Sequence, residues 1–476
     1  MFSLQKIRTS ILDQIRPTQF EIDESFRIYS KIKESIQSVA KDRKLELAFI
    51  ELEGSSGRKQ TQLRSWRELD IFIGLSPSIL PESIGLEKSK KHFVRKLFKE
   101  LVKEVAIVAA QQVGAQTANI AYAEHPYVSI NLNKYLVDLV FCFDLTPEYI
   151  MENGPITAVD RTPHHSRFVD ANLTQQQRDD VRIFKAFCHS VFVYGDSSPV
   201  GRSGFTGFST EMFIYHSKNI DSAFDFLSQS PTICLDFFGR SSQELQKSFP
   251  KDFLIITDPT DPKRNIASSI SQRAYRYAQY NAQQLHKQPS SSFFQMQPIP
   301  ILSAKELAQM TSNYFVIEFH DETNWHYTKT RDKLYRYFTK LQKALRCEPT
   351  GELRFGAVTF EEVFQPPIFA IALHVEKNEI KDRYIRIGPQ ADFTEGVERF
   401  IEKHPDAVLV NGRYHVTITR TITDAEQAIR QYFAENLLSP KLSLIDITNH
   451  GTTKIGKQSL WILKNAIQPF VIPNNE

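Results

Sequence analysis

Apolar and polar positions along the chain fall into two alternating rhythms. Residues 22–43 carry apolar side chains at helical spacing, and the apolar run 45–53 that follows has strand character. Gly54-Ser55-Ser56-Gly57-Arg58 then marks a tight turn. Beyond it Leu69, Ile71 and Ile73 alternate with Glu68 and Asp70, the period of two that a half-buried strand requires. Helical spacing returns at Phe93, Leu97, Leu101, Val105 and Val108. These predict one apolar stripe beneath a basic face of Lys88, Lys90, Lys91, Arg95, Lys96, Lys99 and Lys103. That face suits either solvent or phosphate contact. A strand pair is expected near 117–143.

From about residue 159 the helical rhythm dominates. Residues 174–193 predict a helix with Thr174 as N-cap and an apolar stripe of Val181, Phe184, Cys188 and Val191. Residues 261–286 predict a second, long helix with Asp261 at its N-cap and Pro262 in its first turn. After Pro289-Ser290-Ser291-Ser292 the character changes again. Helices are expected at 303–313 and 329–347, and strands at 368–376 and 413–421. The sequence therefore predicts an α+β or α/β first domain, a helical second one and an α+β C-terminal half. No internal repeat and no low-complexity tract interrupts this order.

Composition narrows the class. At 476 residues the chain is too long for one core, and two to four domains are expected. Hydrophobic residues at 41% and charged residues at 24% are those of an ordinary globular protein, not of a disordered one. A net charge of +3 by itself argues neither for nor against nucleic acid. The four cysteines lie far apart, so neither a disulfide framework nor a close metal-ligand pair is expected. Cys142 and Cys188 lie in apolar stretches and predict buried thiols. The opening MFSLQKIRTS has no long apolar core, and no run of 18 apolar residues exists. Neither a signal peptide nor a membrane span is expected.

Three features carry chemistry. Glu68 and Asp70, two apart on a strand, project from the same face, where two carboxylates repel each other unless a cation lies between them. Asp138 is the lone charge in the apolar run between Tyr135 and Asp144, and a buried carboxylate is costly unless paired or metal-bound. Gly54-Ser55 with Arg58 would bring backbone amides, a hydroxyl and a positive charge toward a phosphate. Each has an ordinary alternative: a solvent-facing strand edge, a strand-end Asp, a plain hairpin turn. Together they describe what two-metal phosphoryl transfer needs.

Gly54-Ser55 followed by Glu68-Leu69-Asp70 resembles the signature of the polymerase-beta-like nucleotidyltransferases. Within that superfamily the chain is similar to the archaeal-type CCA-adding enzymes. The similarity rests on ordered blocks: Tyr122-Ala123-Glu124-His125-Pro126-Tyr127, Ala158 to His165, Val181 to Lys185 with Tyr194-Gly195, Gly204 to Glu211, and Asp258 to Asn265. Arg386-Ile387-Gly388-Pro389 extends it into the C-terminal half. In one loop the chain departs from the pattern. Gln60-Thr61-Gln62 stands where the family carries a Thr-Trp pair, and the spacing to Glu68 is one residue longer, which leaves the role of Arg58 open.

The resemblance implies a multidomain α+β protein. A mixed-sheet nucleotidyltransferase head would span 1–158 and a helical neck 159–290. A body would combine 291–340 with 430–476, and an α+β tail would span 341–429. It implies Glu68, Asp70 and Asp138 as metal-binding catalytic carboxylates. Ser55, Arg58, His165, Lys185 and Tyr194 would contact the triphosphate, with His125 close to the incoming nucleotide. Arg264, expected in the first turn of a helix, would face the Watson–Crick edge of the base. Mg²⁺ is the implied metal, since the ligands are all oxygens. The implied partners are ATP, CTP and the 3′ end and elbow of tRNA, for a cytoplasmic enzyme that resembles known homodimers. A poly(A) polymerase, a 2′-5′ oligoadenylate synthetase-like enzyme and an inactive RNA-binding protein are the competing readings.

Overall fold

The period-two pattern at Glu68–Leu75 decides the core of the first half. In a computed structural model, residues 3–81, 87–122, 125–323 and 325–470 are described. They form two units, one of Met1–Ser198 with Ser203–Gln297, the other of Pro199–Arg202 with Pro298–Glu476.

The first unit opens with helices α1 (Gln5–Ile15) and α2 (Gln19–Asp42). Thr18 and Glu21 close a reciprocal cap at the start of α2. Strands β1 (Phe49–Glu53) and β2 (Glu68–Leu75) follow, then α3 (Glu87–Leu101). A single π turn at Val102–Ala106 joins α3 to α4 (Ile107–Gln112). Three strands come next: β3 (Thr117–Tyr122), β4 (Pro126–Leu132) and β5 (Tyr135–Phe143). The sheet runs β1-β2-β5-β4-β3, with β2 and β5 parallel and the other neighbours antiparallel. Leu69, Ile71, Ile73, Val137, Leu139 and Phe141 all point to one face, where they pack with Ile28, Ile32 and Ile36 of α2 and with Val94 and Phe98 of α3. The buried stripe of α3 is thus Val94, Phe98 and Leu101, continuing through Val102, Val105 and Ala106. It is shifted by one residue from the one expected over the first two turns, where Phe93 and Leu97 are only half-buried at its edge, and it meets the expected positions at Leu101 and Val105. Ala123 and Glu124 lie outside the described residues, as do the side chains of Lys88 and Lys90.

The other face of the sheet carries the acids and looks toward the rest of the unit. Helix α5 (Pro147–Asn153) leads to α6 (Thr162–Asn172), α7 (Gln175–Ser190), α8 (Gly207–Ser217) and α9 (Ile220–Gln229). Thr174 caps α7 as the sequence predicts. The short strand β6 (Cys234–Leu235) and helix α10 (Ser242–Ser248) precede β7 (Ile255–Asp258), β8 (Asp261–Asn265) and α11 (Gln272–Lys287). The expected helix from 261 does not form. Asp261 accepts from the Lys263 amide at 2.9 Å, Asp258 accepts from the Thr260 amide at 2.9 Å, and these side-chain-closed turns fold the segment into a hairpin. The helix begins only after Ser271, which caps it. Cys142 and Cys188 are buried thiols, and all four cysteines are free.

The second unit runs through α12 (Ala304–Ala308), β9 (Tyr314–Asp321), α13 (Tyr327–Arg346), β10 (Val358–Gln365) and β11 (Ile368–Val375). Then come β12 (Arg383–Gln390), α14 (Thr394–Lys403), β13 (Val408–Val410), β14 (Arg413–Thr419), α15 (Ala425–Glu435), β15 (Leu442–Thr448) and α16 (Lys454–Ile462). One antiparallel sheet is ordered β10-β11-β9-β15, so it draws strands from both sides of residues 340 and 429. A separate three-stranded sheet, β12-β14-β13, stands apart from it. Among the described residues no helix is long and apolar enough to cross a membrane.

Candidate active site

Strand register builds the site. Asp70 of β2 stands directly opposite Asp138 of the parallel strand β5, about 5 Å away across the sheet. Glu68 is two residues earlier on the same face. Mutual proximity shows in their acidity. Burial, then Asp138 and Glu68, push Asp70 up to about 7, with Lys59 pulling the other way. Glu68, outermost of the three, is raised by partial burial and by Asp138 and Asp196. Among the described residues no three acids or histidines are already gathered about one point as metal ligands. Carboxylates of like charge have reason to stand apart.

The turn after β1 lies hard against this face. Gly54 has φ +64°, and a Cβ on it would collide with the Asp70 carboxylate oxygen. Only glycine brings the backbone this close in this conformation. Ser56 Oγ donates to the Glu68 carbonyl at 3.1 Å, and the Thr61 amide to the Ser55 carbonyl at 3.0 Å. Arg58 turns outward and pairs with Glu51 at 2.7 Å, its side chain about half exposed. Its neighbour Lys59 turns inward instead. Lys59 Nζ is buried and donates to Glu211 Oε2 at 2.9 Å. Of the two adjacent cations it is thus Lys59, not Arg58, that acts on Asp70.

Glu211 of α8 gathers three donors. Besides Lys59, Thr61 Oγ1 donates to its Oε1 at 2.7 Å and Lys185 Nζ lies 3.4 Å from the same oxygen. Lys185 also donates to Thr61 Oγ1 at 2.9 Å. Burial alone would raise the Glu211 carboxyl, but the two lysines outweigh it and hold it below its ordinary value. Burial pushes Lys185 down to about 8, with Glu211 opposing. Tyr194 stacks on His189 at 4.1 Å and closes the same corner. Its hydroxyl and Lys185 Nζ both lie beside Gly207, where no side chain intervenes.

A second cluster adjoins through Phe208. Lys59 Nζ sits 4.8 Å from the Phe208 ring centre, and the His165 ring stacks on Phe208 at 3.8 Å. His165 Nε2 lies 2.7 Å from Asp258 Oδ2, and Arg264 donates to that oxygen at 3.0 Å. Burial pushes the imidazole down to about 4, so it is neutral at pH 7, and Nε2 carries the hydrogen because a carboxylate only accepts. Arg264 is on β8, not on the helix expected from sequence. The family block before it serves as a brace. Asp160 accepts from the Phe143 amide at 2.9 Å, and Arg161 grips Asp261 at 2.6 Å.

Asp70, Asp138, Glu68 and the Gly54–Ser55 turn therefore share one face with Lys59, and His165, Lys185, Tyr194 and Arg264 adjoin it. His125 is placed differently. Its ring meets Phe98 edge-on at 4.8 Å, and Phe98 belongs to the helix-covered core. Tyr127 is the aromatic beside the acids: burial, Asp138 and Asp70 raise its hydroxyl to about 12. Sequence reading gave no role to Lys59, nor to Glu211 and Asp258, which it met only as the ends of two blocks. It also passed over Glu53, which faces Asp70 across β1 and β2. Burial lifts Glu53 to about 8, beside Ser166 and Glu51. The signal for Glu53 was present, since Glu51 and Glu53 sit two apart exactly as Glu68 and Asp70 do.

The family model for the second domain of tRNA nucleotidyltransferases matches residues 179–295. A CCA-adding enzyme of Saccharolobus islandicus is 28% identical over 425 residues, 88% of this chain and 90% of its own. One of Methanosarcina mazei is 26% identical over 440 residues, 90% of this chain and 89% of its own. Among solved structures, a cytoplasmic RNA terminal U-transferase covers 62% of this chain and 98% of its own, at 12% identity and a TM-score of 0.43.

Proposed function

We propose that this chain, a relative of the archaeal CCA-adding enzymes along nearly nine-tenths of its length, adds C, C and then A to the 3′ end of tRNA from CTP and ATP, releasing pyrophosphate. The observation that carries the chemistry is the register of β2 and β5, which sets Asp70 against Asp138 with Glu68 alongside. Oxygen donors of this kind suit a hard divalent cation, Mg²⁺ in our reading. The raised pKa of Asp70, caused by burial and by its neighbouring carboxylates, fits a set that expects positive charge. Glu68, Asp70 and Asp138 would hold the metal, which when bound would activate the 3′ hydroxyl and neutralise the leaving pyrophosphate.

The other residues are read as binding and orienting groups. Lys59 and Lys185, two ammonium groups on one carboxylate, leave a net positive charge for the triphosphate. Ser55 and Tyr194 supply neutral hydroxyl donors around it, His165 lies alongside with its one N–H held by Asp258, and Arg58 is left to the surface pair with Glu51. Arg264 faces the base. A guanidinium only donates, so it suits bases whose Watson–Crick ring nitrogen accepts, cytosine and adenine, and it is mismatched to uracil and guanine, whose ring nitrogen carries hydrogen. We read 1–158 as head, 159–290 as neck, 291–340 with 430–476 as body and 341–429 as the tail that meets the tRNA elbow. RNA there is met by shape and phosphate contact. The setting would be the cytoplasm, and a homodimer is part of the proposal.

The test is incorporation of labelled CTP and ATP into tRNA lacking its CCA end, in Mg²⁺. Addition of C, C and A and then a stop is expected. Asp70→Asn should lower the rate on the order of 100-fold or more. Long A-tails would replace the reading with a poly(A) polymerase, and tight RNA binding without incorporation would replace it with a binding protein.

A further inference from the structure

We propose that Asp258 is a positioning residue for nucleotide choice, acting by holding Arg264 and His165 on a single carboxylate oxygen. The inference rests on the functional reading above and deepens it.

Asp258 ends β7 and is fully buried. One oxygen, Oδ1, takes the Thr260 amide at 2.9 Å and the Thr260 hydroxyl at 2.7 Å. That fixes the carboxylate on its own hairpin. The other oxygen, Oδ2, takes His165 at 2.7 Å and Arg264 NH1 at 3.0 Å. The hairpin is itself anchored: Asp261 pairs with Asp258 in the register and is clamped by Arg161 at 2.8 and 2.6 Å. Both ends of the path from Arg161 to the guanidinium are thus charged hydrogen bonds, and strand pairing in the hairpin joins them.

The other end of Arg264 is open. Its side chain is 39% exposed and its ion pair with Asp258 runs through NH1, so that among the described residues Nε and NH2 are left to meet a ligand. A long arginine loose at a surface can shift to suit many base edges. One pinned by NH1 presents its remaining N–H groups along a fixed direction, and selectivity between bases depends on that direction. The pin also ties the base to the phosphates. His165 shares Oδ2 with Arg264 and stacks on Phe208, and the same Phe208 ring lies beneath Lys59. Asp258 therefore joins the group we read as meeting the base to the groups we read as meeting the triphosphate.

Asp258→Asn keeps the shape and removes the charge that holds the guanidinium. Incorporation of C over U into tRNA lacking its CCA end, as a ratio of kcat/KM, is expected to fall at least tenfold. KM for CTP should change less than the ratio does. Asp258→Glu, which keeps the charge but moves the oxygen by one methylene, should lie between wild type and Asp258→Asn. Thermal unfolding of each variant is recorded alongside, and if Asp258→Asn does not fold, Asp258→Glu carries the test. Arg264→Ala separates the two levels of the claim. If it leaves C-over-U choice intact, the base-facing role of Arg264 falls. If it scrambles choice while folded Asp258 variants keep it, Asp258 is only a brace and this proposal alone falls. A double variant no less selective than Arg264→Ala alone supports the proposal, since Asp258 then acts through Arg264.

Discussion

Lys185 and Glu211 show how one buried charge sets a pH response. Burial brings the Lys185 proton down to about 8, with Glu211 pulling upward and Lys59 and Arg182 pushing further down. The nearby His189 is neutral, since burial lowers it to about 4. The unfolded chain keeps the lysine proton to the ordinary value of 10.5. Between the two values the unfolded state binds more protons, so this group makes stability rise with pH there. Triphosphate binding should run the opposite way, because the ammonium it needs is lost as pH climbs through about 8. KM for CTP is therefore expected to rise above that point, by up to about tenfold per pH unit. Glu211→Gln removes the charge that pulls Lys185 upward, and its rise should begin at lower pH. Coincident KM profiles for the two proteins would separate Lys185 from the triphosphate. At this scale the acids were legible in sequence, because strand parity alone puts Glu68 and Asp70 on one face. Lys59 was not. A neighbouring Arg58 offered a better match to the family pattern, and only the course of the loop decides which of two adjacent cations turns inward.

That loop is an element in its own right, held by α7. Arg182 Nε donates to the Gln62 carbonyl at 3.0 Å, Arg178 to the Arg58 carbonyl at 3.1 Å, and Lys185 to the Thr61 carbonyl at 3.2 Å. Its other anchor is the approach of Gly54 to Asp70. Two glycines test this. Gly54 and Gly114 both have positive φ, +64° and +77°, so alanine costs about 1–2 kcal/mol of backbone strain at either. Only at Gly54 does the new methyl meet the Asp70 carboxylate, whereas at Gly114 nothing lies within 4 Å. Gly114→Ala should lower thermal stability and leave specific activity alone. Gly54→Ala should lower both, with kcat for nucleotide addition down at least tenfold; equal activities of the two variants would show that the approach has no catalytic consequence. Elements with a clear period were legible, α7 and its Thr174 cap among them. The β7–β8 hairpin was not, because Asp-Pro reads equally well as a helix start, and the competing side-chain turns at Asp258 and Asp261 are local bonds that periodicity does not report.

At the scale of the whole molecule the break near residue 290 was legible as a change of rhythm, and the two units divide at Gln297 and Pro298. The partition inside the second unit was less so, since pairing of β9, β10, β11 and β15 joins segments over a hundred residues apart, beyond the reach of any local pattern. Charge poses the same difficulty. With 58 basic against 55 acidic residues the total says nothing of RNA, and the question is where the charges lie. Lys96, Lys99 and Lys103 are exposed along α3 and the π turn that follows it. RNA binding that releases counterions should weaken with salt at a slope of about −0.7 to −0.9 per phosphate engaged. A log–log slope shallower than about −2 would mean fewer than three phosphates met, too few for a grip on the tRNA body. Replacing Lys96, Lys99 and Lys103 together by alanine distinguishes the two readings of this face. If it lies on RNA, the slope should shrink by about 2 or more, with affinity lost at low salt and the difference vanishing at high salt. If it is a solvated face, the slope stays and the phosphates are met elsewhere on the chain. Incorporation of CTP into a short RNA end, too small to reach α3, should then be equal for the variant and wild type in either case, so that the salt slope reports binding of the tRNA body and not damage to the carboxylate face.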